Sequence, residues 1–407
     1  MFIRSVINLA SASTASQIIV VLSLPILIKI YEPKAFAIYA LYIAIVNLVS
    51  SAASLRLEHA IVIAKNHHIK ILYSTTILLS FIASLISIVF TLIASLLSVI
   101  VYDHLEIFLF AVPLGIFFTA LWNINYSFYN RQEKYSKIAK SQIIKNIVLV
   151  SIQIIFGYLF ISNIYVMLLA HILSLMLVNY LIWPNLKIKF KIKKILLIFN
   201  RHYKFPKFSA PSIFINTMGK SSIPFFIGGS GGEVVLGHYA YIERLLGAPS
   251  ALIGSAVGRV YYRSASKIKE SKVKALKLFN KTTLILVAIS GVIFSSAYFF
   301  SQNINHGIID ENWQGIFQLA TILVPIFFIK LIVVPVSMTT NVYSKQDISL
   351  YWNITYLGIT NMLLLYIFNN YEGNYILLLN AYVAVSFIFY LALLLILRNF
   401  ITHNYDK

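Results

Sequence analysis

Apolar residues run along this chain in long stretches broken by short polar connectors, and the length of the stretches dictates their structure. Residues 72–101 and 374–397 pass without one charged side chain. A bilayer core of about 30 Å needs about 20 apolar residues in a helix, and helices satisfy their own backbone in lipid. The pattern predicts an all-α polytopic membrane protein with about twelve transmembrane helices, over about 6–30, 36–64, 72–101, 105–129, 141–161, 164–184, 208–228, 234–262, 282–301, 314–341, 351–368 and 374–397. The first of these is too long an apolar run for a cleaved signal peptide, so it is expected to stay as a helix.

Charge changes the picture from a set of spans to an oriented set. Lys and Arg favour cytoplasmic connectors. Even-numbered connectors carry Lys65 and Lys70, then Arg131, Lys134, Lys137 and Lys140, then Lys187 to Lys207, Arg263 to Lys281, and Lys345. Odd-numbered connectors carry the acids Asp103, Glu106, Glu233, Asp310, Glu311 and Glu372, with Lys29 and Lys34 of the first hairpin as exceptions. Both termini are therefore expected in the cytoplasm. The net charge of +20 is largely this topology signal. Its partners are anionic membrane lipids, worth about 1 kcal/mol per basic residue near the surface, rather than nucleic acid. The basic connector 187–207 is expected to lie on the inner leaflet. Tyr31, Tyr73, Tyr102, Tyr129, Tyr262 and Tyr371 sit at span ends, as an interfacial aromatic belt would.

That connector divides the chain into an N-terminal six-helix bundle (1–184), a cytoplasmic linker (185–207) and a C-terminal six-helix bundle (208–407). Phe36-Ala37-Ile38-Tyr39-Ala40 aligns with Leu236-Gly237-His238-Tyr239-Ala240 at an offset of 200, and Arg56 has a near-counterpart in Arg259. Two halves of six spans share one orientation, which predicts parallel repeats with a substrate cavity between them.

Ionisable residues inside spans are costly and mark substrate or ion paths. Eight are singled out: Arg56, Glu58, Lys145, Lys220, Glu243, Arg244, Arg259 and Lys330. Six cations against two acids predict a basic lumen suited to an anionic substrate. Lys220, Arg244 and Lys330 lie deepest and are expected to converge there. Arg56, Lys145 and Arg259 lie near the cytoplasmic ends, where a long side chain can also reach the headgroups. Glu243 and Glu58 are candidates for ion coupling. On a continuous helix Glu58 points nearly opposite Arg56, so no ion pair is expected between them.

The segment LPILIKIYEPKAFAIYALYIAIVNLVSSAASLRLEHAIVIAK (24–65) resembles the opening of Wzx-type polysaccharide and O-antigen flippases, and 205–265 resembles the start of their second half. These belong to the multidrug/oligosaccharidyl-lipid/polysaccharide exporter superfamily, which also holds the MATE exporters. The resemblance implies a MATE-like fold in a bacterial inner membrane. It implies alternating-access movement of an undecaprenyl-diphosphate-linked oligosaccharide, used for lipopolysaccharide or a related polymer, from the cytoplasmic to the periplasmic leaflet. An H+ or Na+ gradient would drive it. The run Gly228-Gly229-Ser230-Gly231-Gly232 departs from the family's short turn after the seventh span.

An ion-coupled exporter of small amphiphiles is the alternative, and would call for a carboxylate-rich lumen. A polymerase or ligase of the same pathway would carry a large outer loop, and outer connectors here reach only about a dozen residues, so the chain reads as a transporter and not an enzyme. No cofactor is implied. The absence of cysteine excludes disulfide and thiolate chemistry. His67-His68 lacks further metal-ligating neighbours. Asn125-Tyr126-Ser127 and Asn353-Ile354-Thr355 match glycan acceptors only by pattern, being inside spans. Ser11, Ser13, Thr14 and Ser16 suit close helix packing. Pro113, Pro325 and Pro335 are candidate kink sites.

Overall fold

A computed structural model describes residues 2–96, 105–159, 163–186, 192–229, 232–268, 270–303, 310–343, 345–371 and 373–403. Asp103, Tyr102, Glu372, residues 187–191 and the turn residues Ser230 and Gly231 lie outside the described residues. All regular structure among the described residues is helical. Packing divides the chain into two compact units, Met1–Gly237 and His238–Lys407.

The first unit is built from α1 (Phe2–Ile30), α2 (Pro33–Ser50), α3 (Leu57–Ile63), α4 (Asn66–Leu96), α5 (Leu105–Arg131), α6 (Tyr135–Leu159), α7 (Ile164–Leu181), the short α8 (Ile192–Arg201) and α9 (Ala210–Gly229). A π-helical turn, Phe205–Ser209, leads into α9. The long α10 (Glu233–Ile268) starts in this unit and continues into the second. There it is joined by α11 (Lys272–Asn303), α12 (Gly315–Val336), the single turn α13 (Thr339–Val342), α14 (Gln346–Asn370) and α15 (Tyr375–His403). Eight segments, in α2, α4, α5, α6, α7, α11, α12–α13 and α15, are long and apolar enough to cross a bilayer on length and composition alone. Of the other four expected spans, the first appears as the shorter apolar helix Thr14–Ile30, and those at α9, α10 and α14 are diluted by polar groups, among them Lys220, Glu243, Arg244, Arg259 and Asn361.

Helices in lipid gain little from burying apolar surface on one another, so close approach and internal hydrogen bonds hold them. In the first unit α1 runs along α6, α4 along α5, and α2 packs on α5 and α9. Ser16 is fully buried, and its carbonyl accepts from Asn146 Nδ2 at 2.8 Å, as the small residues of α1 lead one to expect. A buried chain of polar groups ties α4, α5 and α7. Tyr73 Oη donates to Asn125 Oδ1 (2.6 Å), and Asn125 Nδ2 donates to Asn179 Oδ1 (3.0 Å). Asn179 Nδ2 ends on the carbonyls of Phe118 and Leu175, both at 2.9 Å. Two further hydroxyls are seated in glycine notches. Tyr31 Oη donates to the Gln153 carbonyl at 2.7 Å where α1 meets Gly157, and Tyr42 fits against Gly115 of α5.

Tyr31, Tyr73 and Tyr129 are thus core residues rather than members of an aromatic belt. Tyr31 and Tyr73 find protein acceptors for their hydroxyls, which removes the reason for a tyrosine to sit at the headgroups. Tyr262 and Tyr371 are exposed.

The expected single helix over 36–64 is broken. After Ser50 the chain turns through residues 51–56, with Leu55 (φ 52°) and Arg56 (φ 62°) both left-handed, before α3 begins. Each such L-residue costs about 1 kcal/mol, and strain of this kind persists where surrounding contacts impose it. At the other end of α3, Arg131 Nη1 donates to the carbonyls of Ile61 (3.0 Å) and Val62 (2.9 Å), and Nη2 to Asn66 Oδ1 (2.8 Å). A third left-handed residue, Glu133 (φ 55°), closes α5 and is exposed. Glycine has no Cβ penalty there, so Glu133→Gly is expected to stabilise the protein by about 0.5 kcal/mol, and Glu133→Val to destabilise it. Thermal melting in detergent measures both.

In the second unit α12 packs on α11 and α15, and α14 on α15. His238 closes one end of it, with Nε2 2.9 Å from the Asn312 carbonyl, its ring beside Trp313, and Gly315 making room for the imidazole. Pro325 and Pro335 lie within α12, which ends one residue after the latter. Pro113 lies within α5.

Candidate functional site

In the first unit the intramembrane charges gather at the α2–α3 break. Glu58 is buried, accepts a short hydrogen bond from Ser54 Oγ, and lies 3.6 Å from Arg56 Nη1 and 3.7 Å from His59 Nε2. The expectation that Arg56 and Glu58 avoid each other is therefore overturned. It assumed a continuous helix, and the two left-handed residues swing Arg56 back over the first turn of α3. At 3.6 Å the pair is electrostatic rather than a well-made hydrogen bond. The Arg56 Nε is buried without a hydrogen-bond partner.

Lys145 is half-buried on α6, its ammonium 5.7 Å from the Trp122 ring centre, a cation–π contact. Lys220 is exposed on α9. His171 of α7 is an intramembrane ionisable residue that the sequence reading passed over. Its Nδ1 lies 3.0 Å from Tyr42 Oη, and its ring meets Tyr42 and Tyr39 edge-on. The rule applied to lysine and arginine inside spans would have found it. His68 contacts Arg201 at 2.8 Å, and no group of three metal-ligating side chains occurs among the described residues.

In the second unit Lys330 sits in a tyrosine setting. Its Nζ is 3.4 Å from Tyr382 Oη and 5.8 Å from the ring centres of Tyr382 and Tyr390. Tyr382 bonds onward to Tyr356 and Ser386, and Tyr356 Oη lies 2.9 Å from Ser386 Oγ. Trp352 stacks parallel on Tyr356, with centres 5.1 Å apart and planes within 5°. Glu243 is exposed on α10. Arg244, the next residue, is half-buried. The backbone of Arg259 belongs to α10, and its side chain lies outside the described residues. Arg56 and Glu58 are thus brought into contact, and Lys145 and Lys220 stand on separate helices of the first unit. Tyr356, Tyr382, Tyr390 and Trp352 have no motif that would have singled them out among 26 tyrosines and 4 tryptophans.

Solved structures share this arrangement of helices. The lipid II flippase MurJ, in an inward closed conformation, superposes with a TM-score of 0.72 at 16% identity, over 96% of this chain and 87% of that one. An inward-facing multidrug resistance MATE family transporter of the MOP superfamily superposes at 0.66 with 14% identity, over 98% and 95%. A MOP superfamily transporter from Pyrococcus furiosus, described as having a binding pocket of reverse polarity, gives 0.52 at 14%, over 99% and 96%. No curated protein is matched by the sequence. The fold is the one these MOP-superfamily transporters share. Within that class the chain belongs to the polysaccharide biosynthesis protein family, which it matches over residues 26–318.

Proposed function

We propose that this protein is a flippase moving an undecaprenyl-diphosphate-linked oligosaccharide from the cytoplasmic to the periplasmic leaflet of a bacterial inner membrane. The observation that carries the reading is the sign of the intramembrane charge, combined with membership of a polysaccharide biosynthesis family. A diphosphate brings at least two negative charges, and Arg56, Lys145, Lys220, Arg244, Arg259 and Lys330 would offset them, guanidiniums by paired hydrogen bonds and ammoniums as point charges. The aromatic faces around Lys330 suit the apolar faces of sugar rings. The polyprenyl tail would remain in lipid, which calls for a lateral opening.

Transport would proceed by alternating access, with substrate affinity differing between the inward- and outward-open states. Glu58 and Glu243 are the groups proposed to exchange the coupling H+ or Na+. Two six-helix repeats, 1–184 and 208–407, would be the moving bodies, with both termini cytoplasmic.

The test is reconstitution in liposomes with a lipid-linked repeat unit whose exposed fraction is read by an impermeant sugar-modifying enzyme. Ion-gradient-dependent appearance of the sugar on the far side is expected. Failure with several repeat units, alongside efflux of cationic dyes, would favour the small-amphiphile exporter instead. Impermeant labelling of single cysteines at 204 and 374 should place them on opposite sides.

A further inference from the structure

Lys34 breaks the charge pattern, being a cation in an acidic connector and in the first turn of α2, where the helix dipole disfavours it. The structure gives it a partner. Its Nζ lies 3.0 Å from Glu233 Oε2, and Glu233 occupies the first turn of α10, where a carboxylate is favoured. One helical turn further, the carbonyl of Pro33 lies so close over Gly237 that a Cβ there would collide with backbone. Only glycine permits this crossing. Under the 200-residue offset of the internal repeat, Gly237 is the counterpart of Ala37, so the second and eighth spans carry their small residues at corresponding positions near their starts.

We propose that Lys34–Glu233 and the Pro33–Gly237 crossing form a latch closing the outer ends of the second and eighth spans, and that transport requires it to open. This rests on the alternating-access flippase reading. The pair has the properties of a reversible fastener. The side chains are 48% and 18% exposed, so water and salt compete for them and the pair is weak alone. The backbone crossing supplies shape without chemistry that must be broken. A buried ion pair at this point would resist opening, and an apolar contact would lack register.

The absence of cysteine makes the test direct. Ala37, fully buried beside the crossing, is replaced by cysteine and its reaction with an impermeant maleimide is timed in intact cells. Glu233→Lys is expected to raise the labelling rate several-fold, and the double variant Lys34→Glu/Glu233→Lys to return it to the parent value. Gly237→Val should also raise it, by wedging the crossing apart. Equal rates in all four proteins would overturn the latch. In a separate protein, Lys34→Cys/Glu233→Cys is bridged with a short reducible cross-linker and polysaccharide export is followed. Export should stop on bridging and resume on reduction. Charge-dependent labelling with export indifferent to the bridge would overturn the latch and leave the flippase reading standing, whereas a parent protein that does not support export in a flippase-null strain would sink the flippase reading. Export blocked by the bridge with labelling indifferent to charge would sink the latch.

Discussion

Arg244→Ala is expected to cut restoration of surface polysaccharide in a flippase-null strain by at least about tenfold, and Arg244→Lys to retain more than Ala does. A charge-assisted hydrogen bond is worth about 1.5–3 kcal/mol, which corresponds to roughly 10- to 150-fold in affinity. Arg244 lies eleven residues into α10, so about 16 Å along it at 1.5 Å per residue, which in the proposed topology puts it near the bilayer centre. A guanidinium at that depth is retained against a steep insertion cost. Lysine keeps the charge but loses the planar fork, so the order Arg, Lys, Ala separates charge from geometry. Lys220→Ala is expected to act in the same direction, and the double variant to lie lower still. The measurement is polymer on the cell surface at matched protein levels. Full restoration by both single variants and the double would show that these cations do not handle substrate.

The second large effect is on stability. Asn125→Leu removes the middle of the Tyr73–Asn125–Asn179 chain, leaving a buried hydroxyl and a buried amide oxygen without their partner. Each orphaned group costs about 1–3 kcal/mol, so a loss of about 3 kcal/mol is expected. Because the penalty belongs to the partners, Tyr73→Phe should recover part of it in the Asn125→Leu background. Melting of the four proteins in one detergent gives the cycle. Additive losses would mean that the three side chains do not act as a unit.

The helical membrane fold was legible because the bilayer imposes a length and a polarity on every span, and these appear directly in the residue pattern. The break at 51–56 was not. The segment Ser51-Ala52-Ala53-Ser54-Leu55-Arg56 holds neither glycine nor proline, so no residue in it announces the left-handed backbone that Leu55 and Arg56 adopt. The ion pair that depends on the break was hidden for the same reason. Lys330 could be picked out by being charged in a span, yet its tyrosine neighbours come from α14 and α15, and only the fold joins them. Tyr31 and Tyr73 misled because a tyrosine near a span end looks alike whether its hydroxyl meets headgroups or a buried acceptor.

The glycine notches at Gly115 and Gly157 carry an evolutionary consequence. Each is shaped by a ring from elsewhere in the chain, Tyr42 of α2 in one case and Tyr31, just past α1, in the other, so neither partner is free to change alone. A lineage that enlarges position 115 must first shrink position 42, passing through a cavity, since a ring and a side chain cannot share the space. Related sequences should therefore show positions 42 and 115, and 31 and 157, exchanging bulk as pairs. Intermediates would be biased toward a small residue on both sides rather than a large one on both.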